Sequence, residues 1–139
     1  MKSQSLSYMV VDDDSTNNLI CDFIIRKFDK DAIINLFLEP ETALSYIENT
    51  YSGNSGPLPT VLFLDINMPT MSGFEFLNEF NRFDLEVKQQ FYIYILSSSM
   101  EDFTSKAIKY PIVTGFLSKP LRISTLEEIF NHNSINKPF

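Results

Sequence analysis

The apolar run Val61-Leu62-Phe63-Leu64 passes without a break into a carboxylate, Asp65. Tyr8–Val11 likewise runs into Asp12, Asp13 and Asp14, and Phe91–Leu96 runs into Ser97. A strand with one wet face alternates apolar and polar residues. A run that is apolar at every position is buried on both faces, as in a parallel sheet covered by helices on either side. A buried, unpaired carboxylate is costly, because desolvation disfavours its charged form. Asp65 therefore either begins an exposed loop or belongs to a site that stabilises its charge.

Segments with helical spacing lie between the runs. Leu19, Ile20, Phe23, Ile24 and Phe28 follow the first acidic cluster, with Ser15 or Thr16 placed to cap their helix. Ile33–Leu38 reads as the second strand. Pro40 and Glu41 open a second helix through Ala43, Leu44 and Ile47, which fades near Tyr51. Ser52–Pro59 is a loop by composition. Val61–Leu64 is the third strand, and Gly73 marks a turn before a helix carrying Phe74, Leu77 and Phe80. Phe91–Leu96 is the fourth strand. Glu101–Tyr110 is the fourth helix, ended by Pro111, and Gly115–Leu117 is a short fifth strand. Ile123, Leu126, Ile129 and Phe130 form the face of the fifth helix. Strands and helices in alternation predict a three-layer open α/β fold around a parallel five-stranded sheet. The 139 residues are expected to form one domain, residues 1–139 with a core at about 8–130.

Bulk composition excludes several functions. Eleven Lys and Arg against 18 Asp and Glu give a net charge of −7, a poor match to phosphate backbones, so no nucleic-acid binding is expected. Cys21 is the only cysteine, which forbids an internal disulfide, and no Cys/His cluster calls for zinc. The N-terminal residues lack a long apolar stretch, and no segment has the length to span a bilayer. A soluble, cytoplasmic protein is expected.

In open α/β sheets the site lies at the carboxyl ends of the strands. Strand one ends in Asp12, Asp13 and Asp14, and strand three in Asp65. Strand four ends in Ser97, Ser98 and Ser99, and strand five in Ser118 and Lys119. Taken singly, each is ordinary: a solvated turn, a helix cap, a loop serine, a surface lysine. Together, in this order, they converge on one edge. Carboxylates held close repel unless a cation intervenes, and hard oxygen donors favour Mg²⁺ or Ca²⁺. Carboxylate, divalent cation, ammonium and hydroxyl make a place where a phosphoryl group can be received.

VVDDD at Val10–Asp14, LDINMPTMSG at Leu64–Gly73, the strand end at Ser97 and FLSKPL at Phe116–Leu121 resemble the receiver domain of two-component response regulators. The resemblance runs from Tyr8 to Phe130, and a stand-alone receiver of the chemotaxis-regulator type, with no output domain, is expected. It implies a flavodoxin-like (βα)5 fold and a set of roles. Asp65 would accept a phosphoryl group from the phosphohistidine of a histidine kinase or phosphotransfer protein. Asp12 and Asp13 would hold Mg²⁺ together with Asp65 and the backbone carbonyl of Asn67. Ser97 would hydrogen-bond the phosphoryl group and move on activation, and Lys119 would pair with its oxygens. The Lys119–Pro120 bond is a candidate cis peptide. Phe116 would be the switch aromatic, making the fourth helix, fifth strand and fifth helix the face read by a downstream protein. Such a protein is no enzyme beyond its own phosphorylation and dephosphorylation.

Some positions depart from the family or stand outside its motifs. Phe116 lacks the hydroxyl of the more usual Tyr, and Ser98 is small enough to leave the site open. Asn67 and Ser99 take positions that tune phosphoryl lifetime in the family. The Ser52–Pro59 loop is longer than usual. Asp14 reads as a cap or a solvated residue, His132 as a surface residue, and Cys21 as core or partner-facing filler. Two other functions compete. Phosphatases of the haloacid-dehalogenase type also place an Asp after an apolar strand, but Asn67 stands where their general acid would be. A pseudo-receiver, an interaction module that no longer takes phosphate, would lose an acidic residue, Asp65 or Lys119, and all are present.

Overall fold

A computed structural model of the chain describes residues 6–54, 56, 59–98 and 109–132, with the backbone alone at 54 and 132. Five strands, β1 (Ser7–Val11), β2 (Ile33–Phe37), β3 (Thr60–Asp65), β4 (Phe91–Ser97) and β5 (Val113–Ser118), form one sheet in the order β2-β1-β3-β4-β5. Every pairing is parallel. This is the flavodoxin-like order, in which the chain reverses direction across the sheet between β1 and β3. The crevice at their carboxyl ends is the place for a site.

Alternation explains the unbroken apolar runs of the three central strands, β1, β3 and β4. Tyr8, Val10, Val61, Phe63, Tyr94 and Leu96 enter one core, packed with Cys21 and Ile25 of helix α1 (Ser15–Phe28) and with Leu126, Ile129 and Phe130. Their neighbours Met9, Val11, Leu62, Leu64, Ile93 and Ile95 enter a second core. There they meet Ala43, Ile47 and Tyr51 of α2 (Pro40–Tyr51) and Phe76, Leu77 and Phe80 of α3 (Gly73–Phe80). Each face thus buries every second side chain. Leu126, Ile129 and Phe130 of the first core lie on helix α5 (Ile123–His132). Cys21 is fully buried, so its place is in the core.

Helix starts follow local chemistry, and among the candidate caps of α1 the structure selects Asp14 over Ser15 and Thr16. The cap of α1 is Asp14, whose carboxylate accepts the N–H groups of Thr16 and Asn17, so Ser15 and Thr16 already lie within the helix. Ser72 and Glu75 form a reciprocal capping box at α3, each side chain accepting the other's backbone N–H. A one-turn helix, α4 (Leu85–Lys88), lies between α3 and β4 where no element was expected. Within the long loop, Ser52–Asn54 forms a 3-10 turn with Gly53 at a φ of 61°. The expected helix Glu101–Tyr110 falls outside the described residues up to 108, as do Ser99 and the His132 side chain.

Candidate functional site

Sheet register brings the acids together. Val11 pairs with Leu64, so the residues that follow, Asp12 just past β1 and Asp65 at the end of β3, stand side by side at the sheet's edge. Both are buried, at 1% and 6% exposure. Asp13 is exposed beside them, and one carboxylate oxygen from each of Asp12, Asp13 and Asp65 lies within 4.8 Å of the others. Lys119, one residue past β5, answers this charge. Its Nζ is 2.8 Å from Asp12 Oδ2 and 2.9 Å from Asp65 Oδ1. The lysine is placed by backbone: its N–H donates to the carbonyl of Ser97 at 2.8 Å, and the Lys119–Pro120 peptide is cis.

The electrostatics are those of a crowded anionic pocket. Burial pushes the Asp65 carboxyl above its usual range, and the charges of Asp12 and Asp13 push the same way, while Lys119 pulls it down. Burial alone would lower the Lys119 ammonium, but its bonds to Asp12 and Asp65 outweigh this and raise it. The thiol of Cys21, one turn into α1 from the site, is pushed up to about 12 by burial and by the Asp12 charge, so it stays neutral.

Other expected residues occupy distinct positions. Ser97 ends β4 and is buried at 6% exposure, with Ser98 exposed after it. Asn67 is exposed on the loop leaving β3. Phe116 pairs with Ile95 on β5 and packs, half-buried, against the core beneath α2 and α3. Gly73 folds this loop back onto β3: its N–H donates to the carbonyl of Ile66 at 2.7 Å, and a Cβ there would stand 2.5 Å from the Asp65 carbonyl oxygen. The glycine serves close approach and not a left-handed turn. Asp14 has its oxygen turned to the helix, in keeping with a cap.

Two residues escaped the sequence reading. Asn17 Nδ2 donates to Asp12 Oδ2 at 2.7 Å, and Asn18 Nδ2 donates to the Asp12 carbonyl at 3.1 Å. Both are buried. The available signal was a pair of adjacent asparagines on the first turn of a helix right after the acids, where an amide is ordinarily solvated or capping.

The sequence profile of the response regulator receiver domain matches residues 8–131. The chain belongs to this family. Solved structures agree. A two-component response regulator from Cytophaga hutchinsonii is 26% identical, with a TM-score of 0.81 over 93% of this chain and 96% of that one. A response regulator receiver protein from Dyadobacter fermentans is 21% identical, with a TM-score of 0.82 over 95% of this chain and 100% of its own. The chemotaxis protein CheY4 of Vibrio cholerae, at 20% identity and a TM-score of 0.70, covers 94% of this chain and 99% of its own, and shares the fold. No curated protein matches the chain.

As a receiver domain of two-component response regulators, the chain has a donor set that suits a hard divalent cation. All the candidate side-chain ligands are carboxylate oxygens, gathered at a strand edge with one of them exposed. Sulfur and imidazole, which select softer metals, are absent from that group. Among the described residues, no helix is long and apolar enough to cross a membrane.

Proposed function

We propose that this receiver is a phosphorylation switch whose acceptor is Asp65. The observation that carries this reading is the Lys119 ammonium lodged between two buried carboxylates, Asp12 and Asp65, at 2.8 and 2.9 Å. A lysine so placed already neutralises the position where anionic phosphoryl oxygens would arrive. Asp12, Asp13 and Asp65, with the backbone carbonyl of Asn67, would hold Mg²⁺, which when bound neutralises those oxygens and fixes the phosphoryl group for attack. An oxygen of Asp65 attacks phosphorus, the P–N bond of a phosphohistidine breaks, and the departing imidazole nitrogen takes up a proton. Lys119 pairs with the phosphoryl oxygens and Ser97 donates to one of them. Water later attacks the same phosphorus and returns the carboxylate. The protein is not otherwise an enzyme.

The donor is a histidine kinase or histidine phosphotransfer protein, and the setting is the cytoplasm. Phe116 follows Ser97 as the site fills, changing the face of β5 and its flanking helices that a downstream protein reads. Residues 1–139 act as one domain. The test is incubation with acetyl phosphate, with and without Mg²⁺, weighed by intact mass spectrometry beside Asp65→Asn. One added phosphoryl group that requires Mg²⁺ and is lost in the variant is expected. No adduct, together with no response of the fold to beryllofluoride, would instead identify an interaction module that takes no phosphate.

A further inference from the structure

We infer that Asn17 is a positioning residue that holds Asp12 in the orientation needed to bind the divalent cation. The inference rests on the proposed reading of Asp12 as a cation-holding residue, and concerns how that carboxylate is aimed. Asp12 has few acceptor positions to spare. A carboxylate offers about four lone-pair sites. Its Oδ2 takes Lys119 Nζ at 2.8 Å and Asn17 Nδ2 at 2.7 Å, and its Oδ1 takes the Asp14 N–H at 2.9 Å. The remaining capacity is on Oδ1.

The two donors on Oδ2 differ in kind. Lys119 sits on a flexible stem, is shared with Asp65, and carries a charge that competes directly with a cation. Asn17 is neutral and buried, and lies on the first turn of α1. Its own N–H is 3.4 Å from the capping oxygen of Asp14, and its Nδ2 is 3.8 Å from Cys21 Sγ one turn on. An ionised carboxylate only accepts, so the amide nitrogen and not its oxygen faces Asp12. Asn17 therefore keeps Asp12 aimed without reducing its charge. It continues to do so when Lys119 turns towards an incoming anionic group. Partners behind a ligating carboxylate commonly set metal affinity in this way.

The test is calorimetric titration of Mg²⁺ into the wild type, Asn17→Leu and Asn17→Ala, with the melting temperature of each recorded in a chelator. Leucine keeps the volume and removes the donor, and alanine is the second variant should leucine pack poorly. The expected result is a dissociation constant for Mg²⁺ raised roughly tenfold in both variants. In the chelator, the melting temperature of Asn17→Leu stays near that of the wild type, because Lys119 still satisfies Asp12. A merely structural role would do the reverse, lowering the chelator melting temperature at unchanged affinity, and would overturn the inference. Equal Mg²⁺ affinity in all three proteins would also overturn it while leaving the phosphoacceptor reading intact. A wild type that takes up no Mg²⁺ at millimolar concentration would overturn both.

Discussion

Replacing Asp65 by Asn should stabilise the metal-free fold, although it removes a group in contact with a lysine. At an effective dielectric constant of about 20, the Lys119 ammonium 2.9 Å away attracts the Asp65 charge by about 5.7 kcal/mol. The Asp12 carboxylate, at most 4.8 Å away between its nearest donor oxygens, repels it by at least about 3.5 kcal/mol. Asp13 is exposed and is screened by water, so its share is small. The net attraction, at most about 2 kcal/mol, must offset the burial of an ion, which costs several kcal/mol even after relaxation. The balance is against the charge by on the order of 1–2 kcal/mol, in agreement with the raised Asp65 carboxyl. Asparagine keeps the shape and an oxygen for Lys119, which also retains Asp12. With an unfolding entropy of about 0.3 kcal/mol/K for a chain of 139 residues, the melting temperature should rise by about 3–7 °C at pH 7 in a chelator.

The pH dependence has a definite sign. A carboxyl raised in the folded state binds protons more tightly there than in the unfolded chain. This group therefore makes the wild type more stable as pH falls from neutrality towards the ordinary carboxylate range. The gap between Asp65→Asn and wild type should narrow over that interval, and saturating Mg²⁺ at pH 7 should close it by stabilising the wild type more. Circular dichroism melts at neutral pH and in the ordinary carboxylate range, with and without Mg²⁺, measure all of this. A melting temperature lowered by more than about 2 °C in Asp65→Asn at pH 7 in chelator would show that the lysine contact outweighs burial, and the reasoning would fail.

Two further substitutions probe the loop and the cap. Gly73→Ala places a Cβ 2.5 Å from the Asp65 carbonyl oxygen, where backbone must yield, so urea unfolding should show a loss of about 1–3 kcal/mol and the acetyl phosphate adduct on Asp65 should form more slowly. Asp14→Ala removes the acceptor for the N–H groups of Thr16 and Asn17, so stability should fall by about 1 kcal/mol in chemical denaturation, with Mg²⁺ affinity in calorimetry lowered much less than by Asp13→Asn.

How much of this was legible in the sequence depended on how local the cause was. β1, β3 and β4 could be read because each carries an unbroken apolar run, Tyr8–Val11, Val61–Leu64 and Phe91–Leu96, a pattern that burial on two faces requires. Asp12, Asp13, Asp65, Ser97 and Lys119 could be placed because strand ends of a parallel sheet share an edge. The cap of α1 was left among Asp14, Ser15 and Thr16 because Asp, Ser and Thr all cap, and only the backbone geometry at Asp14 decides among them. α4 could not be read, since four residues are too short to show a helical period. Nor could Asn17, because its contact with Asp12 exists only once strand, loop and helix have their final angle.

The acids do not bring themselves together. Their mutual repulsion opposes assembly, and Lys119, which joins them, arrives from far along the chain. What aligns them is the alternation of the two cores. Val10 and Phe63 face one set of helices, while Val11 and Leu64 face the other. Slipping β3 by one residue against β1 would turn Phe63 out of its core and carry Asp65 to the opposite face, away from Asp12 and Lys119. Every buried methyl group that resists this slip therefore also fixes the separation of the carboxylates. The energy that holds a crowded anionic site in place comes from hydrophobic burial on both faces of the sheet, not from the site's own ion pairs.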